Sequence, residues 1–385
     1  MPDYTKEQTE AINTIDKNLQ IIACAGSGKT QVISQRIINI LENGTPPSKI
    51  IAFTYTEKAA GELKVRVFKL CREQLPNLNG LAEMYIGTIH AWCLNTLRNY
   101  KYEYQKYSVL DEIKLKLFVD RKFKDIGMKF LNMERFRNTD HYIQLMGILR
   151  EAEFVDRNNV PQKLFDALNQ YEAILRANCY LDFTMIMSEM YKYLDTDFSF
   201  QTKLKDNLKY LVVDEYQDVN PIQEKIVRKL YELEANVCVV GDDDQTIFQW
   251  RGSHIEYIQK FKERYQDVKD VILKDNFRSS NAVVDVALKC ITNNTKRIPK
   301  QMVSKGHQVY DRGDIIYNQF ESVPEENEFI INTIRNLRSV NFKDKPNEER
   351  GLDYSDFVIL IRKWKKAKAI IDAFTNSNIP FIVTG

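Results

Sequence analysis

Short apolar runs recur along this chain, and each leads into a helical pattern. Leu19 to Cys24 (LQIIAC) is apolar but for one residue, and QVISQRIINIL soon after carries apolar residues at helical spacing. Ile50 to Tyr55 (IIAFTY) leads to a helix over Glu57–Gln74, and Tyr85–Thr88 to one over His90–Asn99. Continuous apolar runs, rather than alternating ones, read as strands buried on both faces. Strands alternating with helices predict an α/β chain, a parallel sheet covered on both sides. Upstream, Tyr4–Asn18 reads as an amphipathic helix opened by Thr5 with Gln8 three residues on, a capping-box pattern. The alternation stops near Tyr100. From there to about Ala177 the pattern is helical only, as in Val109–Ile126, where Leu110, Ile113, Leu117 and Phe118 recur at helical spacing. Strand character returns at Lys209–Val213 (KYLVV), Asn236–Val240 (NVCVV) and Val271–Asp275. Beyond these the pattern predicts a helix over Asn281–Asn293 and a polar stretch from Lys300 to Gly313. A strand over Asp314–Phe320, a helix over Glu325–Val340 and a polar loop over Val340–Asp353 follow. The chain closes with a strand over Asp356–Arg362, a helix over Lys365–Thr375 and a strand over Ile379–Thr384.

At 385 residues the chain is too long for one simple core, so two or more domains are expected. Its 44% hydrophobic and 28% charged residues are those of an ordinary globular protein. The net charge of +2 argues neither for nor against a polyanionic partner, so any such site must be a local patch. One candidate is Asn99–Arg137, with ten Lys/Arg against six Asp/Glu. It reads either as a solvated helical face or as a contact for phosphate backbone. The six cysteines, Cys24, Cys71, Cys93, Cys179, Cys238 and Cys290, lie in apolar settings with no CxxC spacing, which suits a reducing cytoplasm. No apolar run is long enough to cross a bilayer, and the polar N-terminus carries no signal sequence.

The candidate chemistry sits where strands end. Ala25-Gly26-Ser27-Gly28-Lys29-Thr30 joins an apolar strand to a helix, the context a phosphate-binding loop requires. Glycines let successive backbone N–H groups wrap one phosphate, and the helix N-terminus adds partial positive charge. Lys29 is placed to reach the β- and γ-phosphates, and the Thr30 hydroxyl to ligate Mg²⁺. Ala23 stands where glycine is frequent and Cys24 follows it, so the loop must begin in ordinary β geometry. After KYLVV come Asp214 and Glu215. The first acid, at a strand's C-terminal end, suits Mg²⁺, and the second can take a proton from attacking water. Gln245, after NVCVVGDDD, is placed to sense a γ-phosphate. Phe248, Trp250 and Arg251 read either as core or as a stacking platform for bases. Gln8 reads equally as the cap partner of Thr5 or as an amide pairing with adenine.

Taken in order, these segments resemble the UvrD/Rep/PcrA type of superfamily 1 DNA helicases, over essentially the whole chain. YTKEQTEAI resembles the family's Q motif, ACAGSGKT motif I, FTYTEKAAGEL motif Ia and IGTIHAWC motif Ib. LVVDEYQDVN resembles motif II, VVGDDDQTIFQWRGS motif III and LKDNFRSSNAV motif IV. The resemblance implies a RecA-like ATPase domain over 1–100 plus 177–270 and a helical accessory insertion over 101–176. It implies the first part of a second RecA-like domain over 271–385. It places Lys29, Thr30, Asp214 and Glu215 on phosphate, Mg²⁺ and water. Gln245 and Arg278 would lie at the γ-phosphate, and Gln8, Arg36 and Phe277 at the adenine. Tyr55, Thr88, His90, Phe248, Trp250 and Arg251 would line the single-strand path. The implied activity is ATP-dependent 3′–5′ translocation and unwinding, with ATP and Mg²⁺, on single-stranded DNA and duplex junctions, in repair or recombination. The helicase portion of a helicase–nuclease, or a nucleotide switch that binds DNA without unwinding it, are the other readings. Family members continue past IPFIVTG into a second accessory domain and a second γ-phosphate arginine. Residues 1–385 alone are therefore expected to turn over slowly and not to unwind. The remainder of the chain, or a separate polypeptide, would complete the second domain.

Overall fold

The computed structural model describes residues 3–151, 160–247, 252–345 and 348–384. The chain divides into two units, Met1–Lys274 with Asn294–Gln301, and Asp275–Asn293 with Met302–Gly385. The first begins α1 (Lys6–Asn13), β1 (Asn18–Ala23), α2 (Lys29–Glu42), β2 (Ile50–Thr54), α3 (Glu57–Gln74), β3 (Tyr85–Thr88) and α4 (Ile89–Tyr100). An insertion follows, with β4 (Ser108–Val109), α5 (Glu112–Arg121), α6 (Thr139–Glu151) and α7 (Gln162–Ala177), and after it come β5 (Tyr180–Leu181), α8 (Phe183–Thr196) and α9 (Phe198–Asp206). The chain then returns through β6 (Tyr210–Val213), α10 (Pro221–Glu232), β7 (Asn236–Gly241), the short α11 (Glu256–Gln259) and α12 (Phe261–Arg264), and β8 (Val268–Leu273).

Six strands form one sheet in the order β3-β2-β6-β7-β1-β8. Every pairing is parallel, so all the strands end at one edge. The apolar runs lack alternation because both faces are covered. Leu19, Ile21 and Ala23 of β1, with Ile50 and Ala52 of β2, pack on one side with Val32, Ile33 and Ile37 of α2 and Leu63 and Val67 of α3. Ile22, Ile51 and Phe53 face the other side, among Trp92 of α4, Met187 of α8 and Ile226 of α10. The α/β parallel-sheet expectation therefore holds. In a parallel sheet, loops at the carboxyl ends of the strands carry the chemistry.

Several local expectations are corrected. The first helix stops at Asn13, where the Thr14 amide and hydroxyl both bond back to the Glu10 carbonyl. The helix expected over Val109–Ile126 is shorter, Glu112–Arg121. The insertion is not helical only, since β4 pairs in parallel with β5. The second unit contains β9 (Asp275–Asn276), α13 (Asn281–Ile291), β10 (Val303–Ser304), α14 (Val323–Leu337), β11 (Asn341–Lys345), β12 (Glu348–Gly351) and α15 (Ala367–Asn376). The polar loop expected over Val340–Asp353 contains the antiparallel pair β11–β12, with Phe342 opposite Arg350 and Lys343 opposite Glu349. Opposite charges across a ladder support strand pairing without an apolar face. Conversely, Asp314–Phe320, Asp356–Arg362 and Ile379–Thr384 form no strands. Ile379 reaches a small core, but other apolar side chains of these runs point outward, Leu360 88% and Ile382 90% exposed. A strand exists through its ladder, and none of the described backbone pairs with these segments. Among the described residues no helix is long and apolar enough to cross a membrane.

Candidate nucleotide and nucleic-acid site

The loop after β1 is shaped by its glycines. Gly26 and Gly28 hold φ of +69° and +82°, in the left-handed region, whereas Ala23, Cys24 and Ala25 do not enter it. The Ser27 amide bonds to the Cys24 carbonyl at 3.2 Å, closing the turn. Gly28 then opens α2 with no side-chain cap and no acid in the first turn, so the helix N-terminus keeps its N–H groups and partial positive charge for an anion. Gln8 holds the loop from outside. Its Oε1 accepts from the Thr5 amide at 3.0 Å, completing the capping box of α1, while its Nε2 donates to the Ser27 carbonyl at 3.0 Å. The capping reading of Gln8 is thus seen directly, and the same amide braces the phosphate loop.

The two acids follow β6. Asp214 donates its amide to the Phe53 carbonyl, and its Oδ1 accepts from the Glu215 amide at 3.0 Å. Glu215 sits at φ +50°, a left-handed position that is unfavourable for a residue with a Cβ. That bend turns its carboxylate to the phosphate loop. Lys29 Nζ lies 2.8 Å from Glu215 Oε2 and 3.0 Å from Oε1. Gln217 Nε2 donates to the same Oε2 at 2.8 Å. Burial, then the neighbouring Glu215 charge, push Asp214 up to about 6, against the pull of Lys29. Burial and Glu215 do the same to Asp218, also to about 6.

The loop after β7 joins this group. The Asp242 amide donates to Gln217 Oε1 at 3.1 Å, and Asp242 Oδ2 accepts from Gln245 Nε2 at 2.6 Å. Lys29, Glu215, Gln217, Asp242 and Gln245 therefore form one hydrogen-bonded series drawn from three strand ends. Gln217 was legible as part of DEYQD but carried no expected role; only the register of β6 on β7 puts it between the loops.

Beside the acids lies a cleft of about 330 Å³, lined by Tyr55, Thr88 and His90 together with Asp214, Glu215, Asp218 and Asn220. The structure thus brings three of the expected strand-path residues to the wall that carries the acids. Thr88 Oγ1 accepts from the Ala91 amide, capping α4, and donates to Glu57 Oε1 at 2.7 Å. Burial lowers His90 to about 4, so the ring is neutral at physiological pH and offers stacking and hydrogen bonds rather than charge. Phe183, 47% exposed, meets the His90 ring edge-on with centroids 5.7 Å apart. It comes from the start of α8, beyond the insertion, so no local sequence signal points to it.

This chain matches the UvrD/REP helicase N-terminal domain over residues 4–266 and the UvrD-like helicase C-terminal domain over residues 271–385. The chain belongs to the UvrD/REP helicase family. It is 27% identical over 392 residues to the ATP-dependent DNA helicase PcrA of Leuconostoc citreum, covering 98% of this chain and 49% of that protein. It is 28% identical over 391 residues to PcrA of Staphylococcus aureus (98% and 50%) and of Staphylococcus epidermidis (100% and 51%). The chain spans about half the length of the curated relatives it matches.

Within this UvrD/REP chain, the remaining expected residues lie as follows in the described structure. Arg36 has no exposed surface, and its Nη1 donates to the carbonyls of Ala11 and Thr14 at the end of α1. It ties α1 to α2. Arg278 and Phe277 belong to the second unit, where Asn276 Oδ1 accepts from the amides of Arg278 and Ser279 at 2.9 and 2.8 Å. That turn leaves the Phe277 ring well exposed. Phe248, Trp250 and Arg251 lie outside the described residues.

Proposed function

We propose that this chain hydrolyses ATP with Mg²⁺ and couples it to 3′–5′ movement on single-stranded DNA, as the motor part of a helicase that unwinds duplex junctions in repair or recombination. The observation that carries the reading is the shared wall. Asp214 and Glu215 line one cleft together with Tyr55, Thr88 and His90, so nucleotide and strand would meet the same acids.

The donor set fits Mg²⁺. Asp214 is buried next to a second carboxylate, which Lys29 and the Glu215 amide offset only in part, so a divalent cation would stabilise the buried charge that burial and Glu215 disfavour. Asp214 and the Thr30 hydroxyl would hold the ion, which would neutralise charge on the phosphates. The remaining roles belong to the protein. The loop amides and the start of α2 cradle phosphate. Lys29 exchanges Glu215 for phosphate oxygens, which releases Glu215 to take a proton from water. Gln217 keeps that carboxylate oriented, and Gln245 stands beside it through Asp242. Arg278 supplies further charge to the γ-phosphate, and Gln8 and Phe277 hold the adenine. Tyr55, Thr88 and His90 in the cleft, with Phe183 against the His90 ring, grip the strand, and Phe248, Trp250 and Arg251 are its further stacking groups.

The test is ATP turnover by the purified chain with Mg²⁺, with and without oligothymidylate, beside a strand-displacement assay. Single strands are expected to raise turnover, and Lys29→Ala to abolish it by removing the loop's cation from the phosphates. Turnover in Lys29→Ala equal to the parent, or none in the parent, overturns the proposal. Phe183→Ala is expected to weaken oligothymidylate binding by about 1–3 kcal/mol, the worth of one base–aromatic stack. Unchanged binding would remove Phe183 from the path.

A further inference from the structure

The polar stretch expected from Lys300 contains a buried cation. The chain leaves the first unit after Lys274, returns for Asn294–Gln301 and leaves again. In that returning segment the Lys300 side chain is only 1% exposed, and its Nζ is paired with Asp242 and Asp244 at 3.0 Å each and with Asp243. Arg297 makes a forked pair with Asp244, Nε to Oδ1 at 2.8 Å and Nη2 to Oδ2 at 2.5 Å. The Ile298 amide donates to Asp243 Oδ2 at 2.6 Å. The three clustered carboxylates have the spacing of a metal site, but the Lys300 ammonium occupies it. Burial works to lower the Lys300 pKa, yet the surrounding carboxylates raise it, so the ammonium stays charged.

We propose that Lys300 is a positioning residue for ATP hydrolysis, fixing Asp242 so that Gln217 aligns Glu215 and Gln245 is held in place. The links run from Lys300 to Asp242, from the Asp242 amide to Gln217 Oε1, and from Gln217 Nε2 to Glu215 Oε2. Room for the middle link is reserved. A Cβ at Gly241 would stand 2.5 Å from Gln217 Oε1, so only glycine lets the amide reach the Asp242 backbone. The Lys300 ammonium touches neither Glu215 nor Lys29 in this series; it acts through the Asp242 backbone. The segment carrying it, Asn294–Gln301, packs with the first unit although the chain on either side of it belongs to the second.

The inference rests on the hydrolytic reading above, and the test separates the two. Steady-state ATP turnover with oligothymidylate is measured for the parent, Lys300→Met, Lys300→Arg, Gln217→Ala and the double variant Lys300→Met/Gln217→Ala. Lys300→Met is expected to lower kcat by at least about tenfold with KM for ATP within about twofold, the signature of a group acting on the chemical step. Lys300→Arg, which keeps the charge, is expected to return kcat to within about threefold of the parent. On the Gln217→Ala background, Lys300→Met should cost less than about twofold more, because both act through one series. An unchanged kcat in Lys300→Met, or losses that multiply in the double variant, overturns the inference and leaves the hydrolytic reading standing. No turnover in the parent overturns both. Where melting shows that Lys300→Met does not fold, Arg297→Ala takes its place in the same cycle and is read by the same criteria.

Discussion

Glu215 carries two burdens that a surface glutamate does not. Its backbone is left-handed, at a cost on the order of 1–3 kcal/mol, and its carboxylate is shared between Lys29 and Gln217. Such a conformation persists because the Asp214 side chain accepts the Glu215 amide and Tyr216, fully buried, anchors the next position. The proposed division of roles predicts different losses at the two acids. Glu215→Gln is expected to keep ATP and Mg²⁺ binding but lower turnover by about 10²–10⁴, the usual worth of a general base. Asp214→Asn is expected to raise the Mg²⁺ concentration needed for half-maximal turnover. Titrating Mg²⁺ against turnover in both variants checks this, and identical behaviour would dissolve the distinction.

Among elements, the junction of α6 with α10 has a chemistry that depends on pH. Asn220 caps α10 through Oδ1 and donates its Nδ2 to Glu151 Oε2 at 3.2 Å, at the last residue of α6. Burial pushes Glu151 up from 4.5 to about 7, with Arg150 opposing and Asp182 assisting. Between those values the native state holds a proton that the unfolded chain releases. Stability contributed here therefore falls as pH rises from about 4.5 to about 7 and is level above it. Glu151→Gln keeps an acceptor for Asn220 and removes the charge. It is expected to stabilise the chain by about 1–3 kcal/mol at pH 8 and by almost nothing at pH 4.5. Denaturant melts at the two pH values check this, and an equal effect at both would show that charge is not the cause. The same scale explains the missed strands. Apolar runs at Asp356–Arg362 and Ile379–Thr384 look like β1 and β2 in composition, but β1 is flanked by β7 and β8 while these runs have no neighbour.

For the molecule as a whole, the two units differ in how they bury apolar surface. The first unit packs helices on both faces of its sheet. The second has a small core around Ile331, Ile334, Phe374 and Ile379, and beside it an open apolar groove of about 740 Å³ that includes Phe357, Phe381 and Ile382. Contiguous apolar surface of this kind recruits apolar ligands. The purified chain is expected to enhance the fluorescence of an anilinonaphthalene dye, and Ile382→Lys to reduce the enhancement by about half or more. A signal untouched by the substitution would place the dye elsewhere.

The sequence by itself determined the sheet, the phosphate loop and the pair of acids. Each depends on neighbours in the chain: continuous apolar runs, glycines before Lys29, and acids directly after a buried strand. A local pattern is enough when the physical requirement is local, as with the left-handed positions at Gly26 and Gly28. Tertiary structure alone decided what depends on distant segments meeting. Gln217 bridges loops because β6 lies beside β7, Phe183 reaches His90 from beyond the insertion, and Arg36 is consumed by the end of α1. Lys300 is the clearest case. A lysine in a polar stretch reads as solvated, and only the return of Asn294–Gln301 to the first unit sets three carboxylates around it, where an ammonium with hydrogen-bonding partners is stable without water.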